Sequence, residues 1–442
     1  MQTPKKIAIV GSGLVGTLLG IYLKRRGHTV HIFDRSPDIR KINFSGRSIN
    51  LVLSDRGIKT LKNVGLEDEI LGIGIPVEKR AIHTGTDRVT NQFYGLDGEV
   101  IYSISRGLLN KKMVDLAEQA GVEFFFESKI WDVTLTDATL HMGEEERGEW
   151  TELKYDLVFG ADGAFSRIRH RMQRQSMFNY SQEFLNIGYK ELNIPANSDG
   201  SHKLDEKSLH IWPRGNFMLM ALANLDGSFT CTLFMPYEKF DSVKTDEEIR
   251  SFFNSEFPDA MAMMPTLVED YKRNPIGNLV TVKCYPWVKE DKLALAGDAA
   301  HAIVPFYGQG MNCSFEDIVV LDNMIEKYGS DWNTIFDEYQ KERKPNADAI
   351  ADLAVQNYYE MADKVGDKHF LHKKHIEHEL TELYPDKFKS QYELTTFSLS
   401  GYKYAWDQGQ KNDVLLEKII TDGAEEKIKD ASYMEQLWHL IA

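Results

Sequence analysis

The 442-residue sequence holds only three cysteines, Cys231, Cys284 and Cys313. They lie far apart, are odd in number and form no CxxC pair. That argues against a disulfide framework and a cysteine-built zinc centre, and it suits a reducing cytoplasm. Long hydrophobic runs are missing too: no stretch approaches the ~20 apolar residues needed to cross a bilayer. The start, MQTPKKIAIVGSG, runs straight into a strand and a glycine turn, without the pattern of a secretory leader. The end, from Lys411 to Ala442, reads as charged helix, not as a membrane anchor. Positive charge is scarce. Against 67 acidic residues stand 52 Lys and Arg, a net charge of -15 with no basic stripe. Such a surface repels phosphate backbones and excludes nucleic acid as a partner. A soluble, cytoplasmic protein is the expectation, with no internal repeat and no low-complexity linker.

What remains is an ordinary globular balance, 42% hydrophobic and 27% charged. At about 150 residues per unit the chain has room for two or three structural units. Its opening has a clear rhythm: an apolar strand (Ile7 to Val10), a glycine turn, a helix (Leu14 to Arg26) ended by Gly27, and a second strand (Thr29 to Phe33). This is a βαβ start with a parallel sheet. Arg106 to Ala120 reads as a further helix and Tyr155 to Gly160 as a short buried strand. From Leu185 to Leu233, alternating segments such as SLHIWP and SFTCTLFMP predict antiparallel strands instead. The buried-strand pattern returns at Leu293 to Ala296, and a long helix follows from about Asn312.

Three motifs punctuate this pattern. Gly11-Ser-Gly13-Leu-Val-Gly16 fits GxGxxG between strand and helix. Gly11 permits the tight turn, Gly13 lets a pyrophosphate approach the backbone, and Gly16 allows helix to pack on strand. The helix N-terminus offers free N–H groups to phosphates, and Asp34, closing the second strand, can accept hydrogen bonds from ribose hydroxyls. The motif alone does not separate NAD from FAD. The second motif ends a buried strand in Gly160-Ala-Asp162-Gly163, followed by Ser166 and Arg169. The third ends another strand in Gly297-Asp298-Ala-Ala-His301 and continues as Pro305-Phe-Tyr-Gly308-Gln-Gly310-Met311-Asn312.

In this order, over some 300 residues, the three motifs resemble those of the single-component FAD-dependent aromatic hydroxylases. The resemblance implies an α/β fold: a Rossmann-like FAD-binding domain, an inserted, mostly antiparallel β-sheet substrate domain and a helical C-terminal part. The FAD-binding domain is placed at residues 1–75, 101–182 and 281–344. The substrate domain is placed at 76–100 and 183–280, and the C-terminal part at 345–442. NADPH has no dinucleotide fold of its own in that family, which accounts for the single GxGxxG. Within the family, segments such as GRSINLVLSDRG, EVIYSISRGLLN, LHIWPRGNFM, VPFYGQGMNCSFED and NYYEM are similar to those of the kynurenine hydroxylases. This implies conversion of L-kynurenine to 3-hydroxykynurenine with NADPH and O2, through oxygen added at the flavin C4a carbon. Hydroxylation of another small aromatic molecule is the alternative.

The resemblance also implies site residues. FAD contacts fall on Val15, Asp34, Arg35, Arg106, Asp298, Met311 and Asn312, with Ile130 passing the adenine and Arg47 close to the flavin. Gly11, Gly13, Gly16, Asp162 and Gly310 complete the cofactor set. Arg80 is implied as partner of the substrate carboxylate, helped by Tyr94, Asn357 and Tyr402, with Phe234, Phe306 and Met361 around the ring. Nothing else in the sequence singles out Arg80, which stands in an ordinary EKRAIH stretch. Two departures stand out: Asp34 where relatives often carry Glu, and Tyr307 where they carry His or Phe. The flavin does the chemistry, and the substrate's own amino group donates electrons into the ring, so no protein base is obligatory and no catalytic residue is expected. His301 reads as a packed residue behind the ribityl turn. His369, His372, His375 and His378 read as a solvated helix face, since strict spacing by three drifts around a helix; no metal is expected.

Overall fold

The computed structural model describes residues 3–42, 49–85, 88–94, 98–144, 149–363 and 368–441. The opening unit forms as its pattern dictates. Strand Lys6–Val10 is buried beyond its first residue, helix Leu14–Arg25 follows, and strand Thr29–Phe33 pairs in parallel with the first. Gly11 makes the turn possible. Its φ is +108°, a backbone region side chains rarely enter, and its N–H donates to Phe33 O at 2.8 Å.

Among the described residues four sheets form. The six-stranded sheet has the order Val288–Lys289, Leu293–Leu295, Leu157–Gly160, Lys6–Val10, Thr29–Phe33, Glu123–Phe125, all pairs parallel except the first. All three motifs therefore leave the same edge, because each follows the C-terminal end of a neighbouring parallel strand. The seven-stranded sheet runs from Gly277–Tyr285 through Asn179–Ile194, Phe229–Pro236, Met218–Ala223 and Ser208–Pro213 to Lys79–His83 and Val89–Phe93. Its pairs are antiparallel save Ser208–Pro213 with Lys79–His83. The long strand Asn179–Ile194 changes register between Phe184 and Gly188, which bends it. A small sheet, Asn50–Leu53, Ile101–Ser105 and Ile75–Val77, lies between the two regions in sequence.

One continuous core runs from the six-stranded sheet to Leu353 and Tyr402. A second lies around Trp212, Phe229, Phe253 and Phe257, and a third joins the C-terminal helices through Ile376, Leu415 and Ile428. Each fully buried large apolar side chain contributes about 1.5–3 kcal/mol. Helix Trp332–Asp363 runs unbroken through residues 344 and 345, where the C-terminal part was expected to begin, and holds Pro345 in its interior. Ile335, Phe336 and Tyr339 before the proline, and Ala347, Ile350 and Leu353 after it, bury in one cluster. That burial outweighs the ~3 kcal/mol cost of an internal proline. No described helix is long and apolar enough to cross a membrane.

Candidate active site

The glycine turn, the helix it opens and the third motif meet on one cavity of about 590 Å³. At Gly13 a side chain would meet nothing within 4 Å, so the backbone there lies open to a ligand. At Gly16 a Cβ would sit 2.0 Å from Gly11 O, so helix and turn touch backbone to backbone. Helix Leu14–Arg25 has no side chain capping its N-terminus, and neither does helix Gly310–Tyr328. Their free N–H groups suit anionic or electron-rich ligand atoms. Asp34 lines the cavity, and its carboxylate accepts from Ser12 N (2.8 Å), Ser12 Oγ (2.7 Å) and Ser36 N (2.8 Å). It thereby also clamps the glycine turn. Gly297, at φ +61°, would place a Cβ 2.8 Å from Val15, so the first and third motifs are in contact. Asp298 lines the cavity beside Arg106; burial raises its pKa while Arg106 and His301 oppose the rise. An extended nucleotide cofactor fits this cradle: an open backbone at Gly13, uncapped helix ends, and a carboxylate at the second strand.

The same cavity reaches the seven-stranded sheet. Arg80, Tyr94 and Phe234 line it from that sheet and the adjoining Tyr94 turn, Phe306 and Tyr307 from the third motif, and Met361 and Tyr392 from the C-terminal helices. Phe234 and Phe306 have ring centroids 5.0 Å apart at 54°. Arg80 Nε and Tyr94 Oη are both buried with no hydrogen-bond partner among the described residues. Buried polar groups are rarely left so, since each unmade bond costs about 1–3 kcal/mol. Burial pushes the phenols of Tyr94 and Tyr307 up, so both stay protonated and can donate. A buried cationic fork beside a protonated phenol, at one end of an aromatic-walled cavity, is a receptor for a carboxylate.

Comparison with known proteins agrees with this geometry. The model of an FAD binding domain matches residues 5–354. The chain is 63% identical, over 95% of its length and 95% of the relative's, to kynurenine 3-monooxygenase of Flavobacterium johnsoniae. It is 53% identical to that of Christiangramia forsetii over the whole of both chains. With that of Dictyostelium discoideum it shares 42% over 94% of its length and 93% of the relative's. The chain belongs to the kynurenine 3-monooxygenase family. Solved structures show the same fold at low identity. 2-Methyl-3-hydroxypyridine-5-carboxylic acid oxygenase aligns with TM-score 0.68 and 19% identity, covering 83% of this chain and 94% of its own. PqsL of Pseudomonas aeruginosa aligns with TM-score 0.67 and 18% identity, covering 82% and 97%.

Of the site residues the family implies, Gly13, Val15, Asp34, Arg106, Asp298, Gly310 and Met311 line the cavity, as do Arg80, Tyr94, Phe234, Phe306 and Met361. Others stand behind the wall. Asp162 is half-buried and accepts from Ser166 Oγ and Arg167 N, both at 2.6 Å, at the start of the helix Arg167–Met172. Asn312 turns its side chain to Ser54 N (3.0 Å), Val52 O (2.8 Å) and Gly308 O (3.0 Å), fastening the third motif to the strand Asn50–Leu53. Asn357 donates to Phe306 O at 2.6 Å. Tyr402 is fully buried and donates to Gln309 Oε1 at 2.9 Å. Gly11 and Gly16 shape the turn without facing the cavity, Ile130 packs in the core, and Arg35 is exposed. Arg47 lies outside the described residues. Thr396 and Tyr392 carried no sign in the sequence, for neither belongs to a spacing pattern that marks a site, and Ser12 fills a position of the GxGxxG turn that the pattern leaves open.

His301 is not on the wall. Its Nε2 lies 2.6 Å from Asp317 Oδ2, and its ring stacks on Trp287. Burial works against the imidazolium, yet Asp317 and Cys313 hold its pKa well above the ordinary value. Asp317 also accepts from Gly297 N (3.0 Å) and Arg343 Nε (2.7 Å). Arg343 continues to Glu316, and Glu316 to the buried Arg56 at 2.7 Å. His301, Cys313 and Asp317 bring ligand-type atoms within 4.8 Å of one another, but Arg343 already supplies the cation there, with Nη2 3.3 Å from Cys313 Sγ. His369, His372, His375 and His378 are exposed on the helix Lys368–Leu383 and lie against Glu417, Glu425, Glu379 and Glu382.

Proposed function

We infer that this chain is an FAD-dependent monooxygenase that converts L-kynurenine to 3-hydroxykynurenine with NADPH and O2. The observation that carries the reading is the single cavity joining a dinucleotide cradle to Arg80 and Tyr94, whose buried Nε and Oη lack a hydrogen-bond partner among the described residues. Bound FAD supplies the activation of dioxygen with electrons taken from NADPH. The chain's residues do the rest. Gly13 and the uncapped helix Leu14–Arg25 receive the pyrophosphate, Asp34 the ribose, and Asp298, Gly310 and Met311 the flavin end. Arg80 and Tyr94 bind the amino-acid carboxylate, and Phe234, Phe306 and Met361 clamp the ring beside the third motif. Asn357 fixes Phe306 through its carbonyl, and Tyr402 fixes Gln309. Pro305 to Gly310 wall the reacting carbon off from water, which is what keeps oxygen transfer coupled to electron use. No side chain need act as base, because the aniline nitrogen already activates the ring carbon beside it.

In this reading the cofactor domain comprises residues 1–75, 101–182 and 281–344, the substrate domain 76–100 and 183–280, and the C-terminal part 345–442. Three buried free thiols suit a cytoplasmic setting. The test is NADPH oxidation by the yellow protein with and without L-kynurenine. Oxidation that accelerates only with L-kynurenine, with 3-hydroxykynurenine as product, supports the reading. Slow oxidation that L-kynurenine leaves unchanged removes it.

A further inference from the structure

A buried histidine pair lies behind the strand that carries Arg80. Successive residues of the strand Lys79–His83 face opposite ways. Arg80 lines the cavity, whereas His83 lies on the far side, its ring stacked on the fully buried Trp212 with centroids 4.0 Å apart at 19°. Its Nε2 is 3.0 Å from His210 Nδ1, and its Nδ1 is 3.2 Å from Asp259 Oδ2. The same Asp259 oxygen accepts from Trp212 Nε1 at 2.7 Å. His210 Nε2 lies 2.9 Å from Asp205 O. Both imidazoles are buried.

Counting hydrogens along this chain fixes its protonation. The carbonyl of Asp205 only accepts, so His210 Nε2 carries a proton. Burial pushes His210 down to about 4, so the ring is neutral and its Nδ1 is an acceptor. His83 Nε2 must then donate to it. On its other side His83 Nδ1 meets a carboxylate, which also only accepts. Both nitrogens of His83 therefore carry hydrogen, and the contacts are satisfied by an imidazolium. A neutral His83 has one hydrogen too few. It would set a lone pair against either the Asp259 carboxylate or His210 Nδ1. The remaining charges nearby are otherwise engaged: Lys79 pairs with Asp205 at 3.0 Å, and Arg214 donates to the carbonyls of Glu256 (2.6 Å) and His83 (3.1 Å). The neighbouring strand Val89–Phe93 has no titratable group, and Arg88 before it is exposed.

The ring of His83 is boxed in by Trp212, so a lost hydrogen bond falls on the strand itself. That strand is held on one side by Ser208–Pro213, where Arg80 pairs with Leu209 and Ala81 with His210. On its other side stands only the edge strand Val89–Phe93, exposed along its whole length. We propose that His83 is a positioning residue: the proton it holds between Asp259 and His210 keeps the strand of Arg80 in the place that receives the substrate carboxylate, and substrate binding draws that proton in. The inference rests on the reading of the cavity as a kynurenine site. Burial lowers the pKa of His83 while Asp259 opposes the fall, so the proton leaves on the acid side of pH 6.5.

The test measures the dissociation constant of L-kynurenine from the perturbation of flavin absorbance in the FAD-loaded protein between pH 5 and 7.5. Binding should weaken about 10-fold as pH rises, the effect of a one-unit difference in proton affinity between free and bound protein. Calorimetry in two buffers of different ionisation enthalpy should show proton uptake on binding within the step. His83→Gln should bind with a constant that changes less than about 2-fold over the range and should take up no proton. The ligand's own groups are common to both proteins, so they cancel in the comparison. If His83→Gln loses flavin, Asp259→Asn replaces it; without the anion that retains the proton, the step should leave this pH range. The same step and the same proton uptake in the variant, or a flat profile in the unmodified chain, overturns the proposal. If L-kynurenine binds at no pH, the functional reading fails, and nitrogen NMR of the histidine rings still decides the role of His83: a ring that does not titrate between pH 5 and 7.5 overturns it.

Discussion

Replacing Asp317 with asparagine probes how the third motif is held. The carboxylate accepts three bonds: from His301 Nε2 at 2.6 Å, Arg343 Nε at 2.7 Å and Gly297 N at 3.0 Å. Both side-chain donors are cationic and almost wholly buried. An asparagine offers one acceptor and an N–H₂ group that must face a cation, and it leaves His301 and Arg343 with no anion between them. Removing one partner of a buried ion pair costs about 3–5 kcal/mol, a large part of the ~5–15 kcal/mol that holds a folded domain together. The loss falls on the Gly297-Asp298 turn, so flavin retention should fail with it. The assay is urea denaturation followed by flavin fluorescence, with His301→Gln/Asp317→Asn as the compensating pair. The double variant should recover part of the loss, since the stranded imidazolium is gone while Arg343 keeps Glu316. A cost below about 1 kcal/mol for Asp317→Asn, or no recovery in the pair, would refute the view of His301 as a structural imidazolium.

Gly16→Ala would put a Cβ 2.0 Å from Gly11 O, so the purified protein should be colourless while its far-ultraviolet circular dichroism is nearly unchanged. Arg80→Gln should lower kcat/KM for L-kynurenine by about 10²–10³-fold, as the loss of two charge-assisted hydrogen bonds implies, with most of the effect in KM. Acid should destabilise the substrate sheet through His210, whose pKa burial pushes down to about 4 from 6.5. The unfolded chain takes up that proton near pH 6.5 and the folded chain does not, so stability falls by about 3 kcal/mol between pH 6.5 and 4. His210→Gln should flatten that part of the denaturation profile. His301 acts in the opposite sense. With its folded pKa raised, its contribution is fully present below pH 6.5 and is lost as pH rises through the raised value, which alkaline denaturation of His301→Gln would reveal as a smaller loss.

The cofactor side of the molecule was legible because its chemistry is local. Gly11, Gly13, Gly16 and Asp34 lie within one βαβ unit, where strand, turn and helix follow from periodicity and from the lack of a Cβ. Asp298, Gly310 and Met311 were marked by a strand ending in glycines. The substrate end was legible only by resemblance, since Arg80 and Phe234 come from strands distant in sequence, Tyr94 from a turn, and none differs in any visible way from surface or core residues. Tyr392 escaped both routes. It reaches Arg80 across 312 positions (392 − 80) through the packing of a short C-terminal helix, which no local pattern records. Asn312 and Asp162 show the converse: their motifs were visible, but the hydrogen bonds that turn their side chains into braces were not. Pro345 looks like a place for a chain break and sits inside a helix because apolar residues on both sides of it share one core.

The most direct measurement of the central claim follows the oxygen atom. The FAD-loaded protein is given NADPH, L-kynurenine and dioxygen carrying a heavy oxygen isotope, and the product is examined by mass spectrometry. The account predicts one heavy oxygen atom in 3-hydroxykynurenine for each NADPH consumed. Product oxygen drawn from water, or NADPH consumed with all the label in hydrogen peroxide, would contradict it.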